Sequence, residues 1–110
     1  MGNREYQLVI VGGGLAGMTA ALYATRSGLK TLLLERLMTG GQIINAGTIE
    51  NFPGFPDRIS GAELTILVHG HATKYGLELE LDEVKSIQQK PYGISIETHN
   101  GNVIDSLPLR

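Results

Sequence analysis

Residues 6–17 read YQLVIVGGGLAG and residues 30–35 read KTLLLE. The first stretch is a short apolar run entering a glycine cluster, which predicts a buried parallel strand over residues 6–11. From residue 15 to residue 27 the pattern is helical, with Ala16, Thr19, Ala20 and Tyr23 at i, i+3, i+4, i+7 spacing. The small residues Ala16, Gly17, Ala20, Ala21 and Ala24 let such a helix lie close to a sheet, and Gly28 supplies a C-terminal stop. Residues 30–35 then form a second buried strand ending in an acid. Strand, glycine turn, helix and strand within about 30 residues is the size of a βαβ crossover. A right-handed crossover makes the two strands parallel neighbours.

Gly12, Gly14 and Gly17 complete a G-x-G-x-x-G turn between strand and helix. Gly12 permits the tight turn, Gly14 lets backbone N–H groups approach a pyrophosphate, and Gly17 lets helix and strand pack closely. With Leu15 and Ala16 these residues open the helix, whose free N–H groups and positive dipole end favour an anion. A glycine motif alone is weak; one that follows a strand and opens a helix stands in the confirming context. Glu35 lies roughly 20 residues beyond the motif, where a carboxylate can accept hydrogen bonds from ribose hydroxyls. A carboxylate there also repels a 2′-phosphate and disfavours NADP, with Arg36 next to it as a partial counterweight. Taken alone, Glu35 reads equally well as a solvated strand end. These elements specify an adenine dinucleotide and leave FAD and NAD open.

Further along, residues 36–60 are weakly periodic and rich in turn formers, yet Ile43, Ile44, Ile49, Phe52 and Phe55 argue for packing. A second helix is expected from Gly61 or Ala62 to about Tyr75, with Ser60 as N-cap, Glu63 completing a capping box and Gly76 ending it. Residues 77–82 alternate as a strand whose glutamates form one solvated face. Residues 84–89, 94–98 and 103–107 read as a small antiparallel meander. Its turns fall at Pro91-Tyr92-Gly93 and at His99-Asn100-Gly101-Asn102, the second carrying the Asn-Gly hairpin signal.

With 110 residues there is room for one small domain, taken as residues 1–110. Hydrophobic content of 42% and charged content of 18% suit a folded chain rather than a disordered one. A net charge of −2 gives no electrostatic reason to expect nucleic acid or an anionic membrane as partner. No apolar run approaches the roughly 20 residues of a membrane span, and no secretory segment is visible. There are no cysteines, which removes disulfides, thiolate metal sites and thiol catalysis from these residues; a cytoplasmic protein is the default. His69 and His71 sit two apart on the predicted helix and point to different faces, so no metal site is expected. No catalytic constellation is expected either.

Gly40-Gly41-Gln42, Ile49-Glu50-Asn51-Phe52-Pro53-Gly54-Phe55-Pro56, Ile59-Ser60-Gly61-Ala62-Glu63-Leu64 and His71-Ala72-Thr73-Lys74-Tyr75-Gly76 follow one another along the chain. As an ordered series they resemble the thioredoxin reductase family and its close relatives among the FAD-dependent pyridine nucleotide–disulfide oxidoreductases. The resemblance implies an α/β fold: a Rossmann-like βαβ FAD-binding domain of the glutathione-reductase type, with a parallel sheet and a small antiparallel β-meander. It implies FAD as cofactor, with Gly41, Gln42 and Asn51 near the isoalloxazine and ribityl chain. A glycine pair admits close backbone approach, and carboxamides can both donate to and accept from ring atoms. Gln42 and Asn51 also read as loop-stabilising residues, and Val84 as either a core valine or an adenine contact.

The family's FAD domain is built from two segments around an inserted NADPH domain, so residues 1–110 correspond to its N-terminal half. At Asp105-Ser106-Leu107-Pro108-Leu109-Arg110 the sequence departs from the family's Ala-Thr-Gly strand, and Pro108 cannot donate to a sheet ladder. A second glycine motif, a Cys-x-x-Cys pair and a flavin-covering segment are not among these residues. Three readings follow. One is the FAD-binding part of an oxidoreductase passing electrons from NAD(P)H through flavin to a disulfide or other acceptor, with a thioredoxin-like partner if the parent is complete. The second is a short non-catalytic dinucleotide-binding protein, completed by self-association as a homodimer. The third is a piece of an NAD-dependent Rossmann dehydrogenase.

Overall fold

The computed structural model describes residues 4–36, 48–49, 54 and 59–107. Strands β1 (Arg4–Tyr6) and β2 (Leu8–Val11) lead into helix α1 (Leu15–Arg26) and strand β3 (Thr31–Glu35). After β4 (Thr48–Ile49) and β5 (Ile59–Ser60) come α2 (Gly61–Ala72), β6 (Glu78–Leu81), β7 (Val84–Lys90), β8 (Gly93–Thr98) and β9 (Val103–Ser106). A parallel sheet has the order β2-β3-β6, so the expected βαβ unit is present. β7, β8 and β9 form the expected antiparallel meander, to which β1 adds as a parallel strand beside β9. β4 and β5 pair antiparallel with each other.

The layering follows from alternation along β3. Leu33 points to one side and packs with Met18, Ala21 and Ala72 of the two helices. Leu32 and Leu34 point to the other and pack with Tyr6, Ile96 and Ile104 of the meander sheet. All three leucines are buried, and burying one contributes about 1.5–3 kcal/mol. A strand can read Leu-Leu-Leu only when both of its faces are covered. Helices, parallel sheet and meander sheet therefore make three layers with β3 in the middle.

In five places the structure departs from the sequence reading. The strand expected over residues 6–11 breaks at Gln7, where Gln7 N and Leu8 N both donate to Lys30 O (2.9 and 3.3 Å) while Tyr6 O accepts from Leu107 N (2.8 Å). Before Gln7 the chain pairs with β9 and after it with β3, so one extended segment serves two sheets. On α1 the helical period holds but the stripe of Ala16, Thr19, Ala20 and Tyr23 faces outward, with Tyr23 63% exposed. Met18, Ala21, Ala24 and Thr25 are buried instead; alanines occur on both faces of this helix and do not discriminate between them.

Helix α2 has its expected Ser60 cap, whose hydroxyl accepts from Glu63 N at 3.0 Å. It ends at Ala72, short of Tyr75, where Thr73 N and the Thr73 hydroxyl both bond His69 O (3.0 and 2.9 Å). On β6 the glutamates do not share one fate. Glu78 is exposed, whereas Glu80 is half-buried and ion-paired with Arg4 at 2.6 Å.

Asp82 leaves the acidic run altogether and is only 6% exposed. Its Oδ1 accepts from Glu83 N (2.8 Å) and Asn100 N (3.3 Å), and its Oδ2 from Asn102 Nδ2 (3.0 Å). Burial pushes this carboxyl up, but the hydrogen bonds from Thr98, Asn102 and the amides of Glu83 and Asn100 outweigh it and hold the group below its usual value. A carboxyl lowered by folding stabilises the protein above its unfolded pKa, and that contribution is lost as pH falls through the folded value. We expect the urea midpoint of the wild-type chain to drop below about pH 5 more steeply than that of Asp82→Asn. Parallel pH profiles for the two proteins would contradict this role.

Candidate functional site

β2 ends at Val11 and turns into α1 through three glycines. Gly12 N donates to Leu34 O at 2.8 Å, extending the ladder with β3. The chain then swings at Gly12 to φ 106°, a region that side-chain-bearing residues avoid. Gly14 O accepts the first helical bond, from Met18 N at 2.9 Å. A Cβ added at Gly17 would stand 2.0 Å from Gly12 O, so the helix rests directly on the backbone of the turn. Gly14 is different: its φ of −71° and ψ of −175° suit any residue, and an added Cβ would meet nothing within 4 Å. The fold requires glycine at 12 and 17 but not at 14.

The two helices begin in opposite ways. α2 is capped by the Ser60 hydroxyl and carries Glu63 in its first turn. α1 has no side-chain cap and no acidic residue in its first turn. Since the first N–H groups of a helix lack partners within it, the α1 terminus is the one poised for an external anion.

Glu35 is brought to this turn by the end of β3. Its Oε2 accepts from Gly13 N and its Oε1 from Arg36 N (2.8 Å). Beside it lies a cleft of about 280 Å³, lined by Val11, Gly12, Leu34, Glu35, Arg36 and the corner Asp82-Glu83-Val84. The cleft sits at the carboxyl ends of the parallel strands, where open α/β sheets bind their ligands. Apolar walls come from Val11 and Val84, and acceptors from Glu35 and the corner. A wider hollow of about 440 Å³ lies at the β7–β8 hairpin tip, among Ile87, Gln89, Lys90, Pro91, Gly93 and Ile94. Of these two, the cleft beside Glu35 is the one that touches the glycine turn.

Of the residues singled out from the sequence, Gly12, Gly14, Leu15, Ala16, Gly17, Glu35 and Arg36 gather at this one end of the parallel sheet. Gly41, Gln42 and Asn51 lie outside the described residues. Val84 both lines the cleft and packs on the meander core. Two participants have little signature in the sequence. The Gly13 N–H holds Glu35, and Asp82 with Glu83 forms the far wall. Asp82 contacts the amide of the next residue, but its partners Asn100 and Asn102 are remote in sequence and give no local hint. Among the described residues no group of three or more His, Cys, Asp or Glu is placed to hold a metal ion, and no helix is long and apolar enough to cross a membrane.

Comparison with known proteins bears on the same region. A family model described as pyridine nucleotide-disulphide oxidoreductase matches residues 6–106. The chain is 44% identical over 85 residues to thioredoxin reductase of Bacillus subtilis, covering 77% of this chain and 27% of that protein. It is 48% identical over 78 residues to a 34.2 kDa protein in the rubredoxin operon of Clostridium pasteurianum, covering 71% and 25% respectively. The crystal structure of T. acidophilum thioredoxin reductase superposes with a TM-score of 0.87 at 38% identity, over 94% of this chain and 34% of that one. The chain thus spans about a quarter of the length of the curated relatives it matches.

The contact at Gly17 makes a direct expectation. Gly17→Ala drives a methyl into the Gly12 carbonyl, and should destabilise the chain by about 3 kcal/mol. The check is the urea midpoint; a shift under about 1 kcal/mol would mean that the helix does not rest on the turn as described.

Proposed function

The chain belongs to the pyridine nucleotide-disulphide oxidoreductase family, in its thioredoxin reductase-like branch, and on that premise we propose that it is the FAD-binding portion of such an oxidoreductase. The observation that carries this reading is Gly14. Neither backbone strain nor crowding by the protein calls for glycine there. Close approach of a ligand does, and the uncapped α1 terminus beside it favours a pyrophosphate.

The residues present fit the ADP half of FAD. First-turn N–H groups of α1, from Leu15, Ala16 and Gly17, would receive the pyrophosphate. Glu35, already held at the turn by Gly13 N, would accept from the ribose hydroxyls. Val11 and Val84 give the adenine apolar surface, while Arg36 stands exposed at the rim. For the flavin half we propose Gly41, Gln42 and Asn51. Bound FAD supplies the electron-carrying chemistry, which in the complete protein would link NAD(P)H to a disulfide or other acceptor. The same reading carries a thioredoxin-like redox partner, a homodimeric assembly and a cytoplasmic setting for that protein.

Absorbance of the purified chain, before and after incubation with FAD, tests the reading. We expect visible flavin bands that survive desalting. Gly14→Val should weaken FAD binding at least tenfold while changing stability by less than about 0.5 kcal/mol. A chain that is colourless once desalted from excess FAD, or that binds FAD equally well with valine at 14, would overturn the assignment. We also expect the 110-residue chain alone to show no NADPH-dependent disulfide reduction, since it contains no cysteine to form a redox dithiol. Turnover of a disulfide substrate above the free-flavin background would contradict that.

A further inference from the structure

Asp82 lines the cleft and is tied to the end of β3 by its backbone and to the meander turn by its side chain. On one side its backbone N donates to Glu35 O at 2.9 Å, and the Glu35 side chain in turn accepts from Gly13 N. On the other side its carboxylate takes Glu83 N, Asn100 N and Asn102 Nδ2. The β8–β9 turn that it grips is itself closely bonded. Thr98 N donates to Asn102 O (3.0 Å), Asn102 N to Thr98 Oγ1 (3.2 Å) and His99 N to Glu83 O (2.8 Å). A continuous hydrogen-bonded path therefore runs from the meander turn through Asp82 and Glu35 to the glycine turn.

From this geometry we infer that Asp82 is a positioning residue for adenosine binding: it fixes the Asp82-Glu83-Val84 wall of the cleft at the distance the nucleoside requires. The inference rests on the dinucleotide reading above and adds a residue that the glycine motif does not contain. The physical reason is preorganisation. Backbone bonds hold the corner between β6 and β7 at Asp82 N and Glu83 O, and the carboxylate adds the bonds to Asn100 N and Asn102 Nδ2, so without it the wall and the 99–102 turn loosen. A ligand must then order them at the expense of its affinity. The pyrophosphate contacts, on the α1 side of the turn, do not pass through Asp82. The effect is therefore confined to ligands that carry the nucleoside.

The test uses the 110-residue chain with two ligands, ADP and inorganic pyrophosphate, titrated calorimetrically or by amide NMR shifts. Asp82→Ala should weaken ADP about tenfold and leave pyrophosphate within about twofold. Leu64→Ala, a buried change on α2 away from the cleft, serves as the control for lost stability; it should weaken neither ligand while the protein is folded. Should Asp82→Ala unfold the chain, the pair Asp82→Asn and Asp82→Asn/Asn102→Asp takes its place. The double variant restores a carboxylate opposite an amide, so it should recover the ADP affinity that the single variant loses. Equal losses for ADP and pyrophosphate, unchanged ADP affinity, or no recovery in the double variant would each overturn the assignment. A wild-type chain that binds neither ligand would instead overturn the dinucleotide reading, and this inference with it.

Discussion

Helix α1 can lie across the end of β2 only because its third residue has no side chain. At Gly17 the helix backbone meets the Gly12 carbonyl with no room for a methyl, and that contact sets the height of α1 above the parallel sheet. From this height Met18 and Ala21 reach Leu33, and the α1 terminus points over the strand ends beside Glu35. A helix displaced by one methyl would lose both the packing below it and the aim of its first N–H groups. Stability and ligand geometry are thus two readings of one steric limit.

The three glycines of the motif divide their labour unequally. Gly12 answers to its own backbone and Gly17 to its neighbour, so both would be needed in a protein that bound nothing. Gly14 answers to neither. A glycine that costs conformational entropy on folding and returns no structural benefit is most simply explained by a partner outside the chain. The contrast between the two helix termini points the same way, since the sequence caps α2 with Ser60 and leaves α1 open.

Much of this was legible in the amino-acid sequence because the signals were local. Strand β3, the Ser60 cap, the Gly28 stop and the hairpin turns each depend on residues a few positions apart. The order of the Gly40-to-Glu63 series likewise pointed to the family that the comparisons bear out. What escaped was set by distant partners. Gln7 looks like any strand residue until Lys30 and Leu107 are brought to either side of it. Asp82 looks like one more surface acid until Asn100 and Asn102 fold over it. The outward stripe on α1 was ambiguous for a different reason: alanine gains so little on burial that its spacing cannot choose a face.

The middle strand has one more consequence. Three consecutive leucines leave a leucine facing each layer even if β3 slides by one residue, and what forbids the slide is that it would bring Glu35 or Lys30 into a buried place. The leucines by themselves supply cohesion without an alignment mark. That mark comes from the polar end of the strand, where Leu34 O receives Gly12 N, Glu35 O receives Asp82 N and the Glu35 carboxylate receives Gly13 N. The carboxylate for which we propose the ribose contact thus also tells the core which of its alignments to adopt.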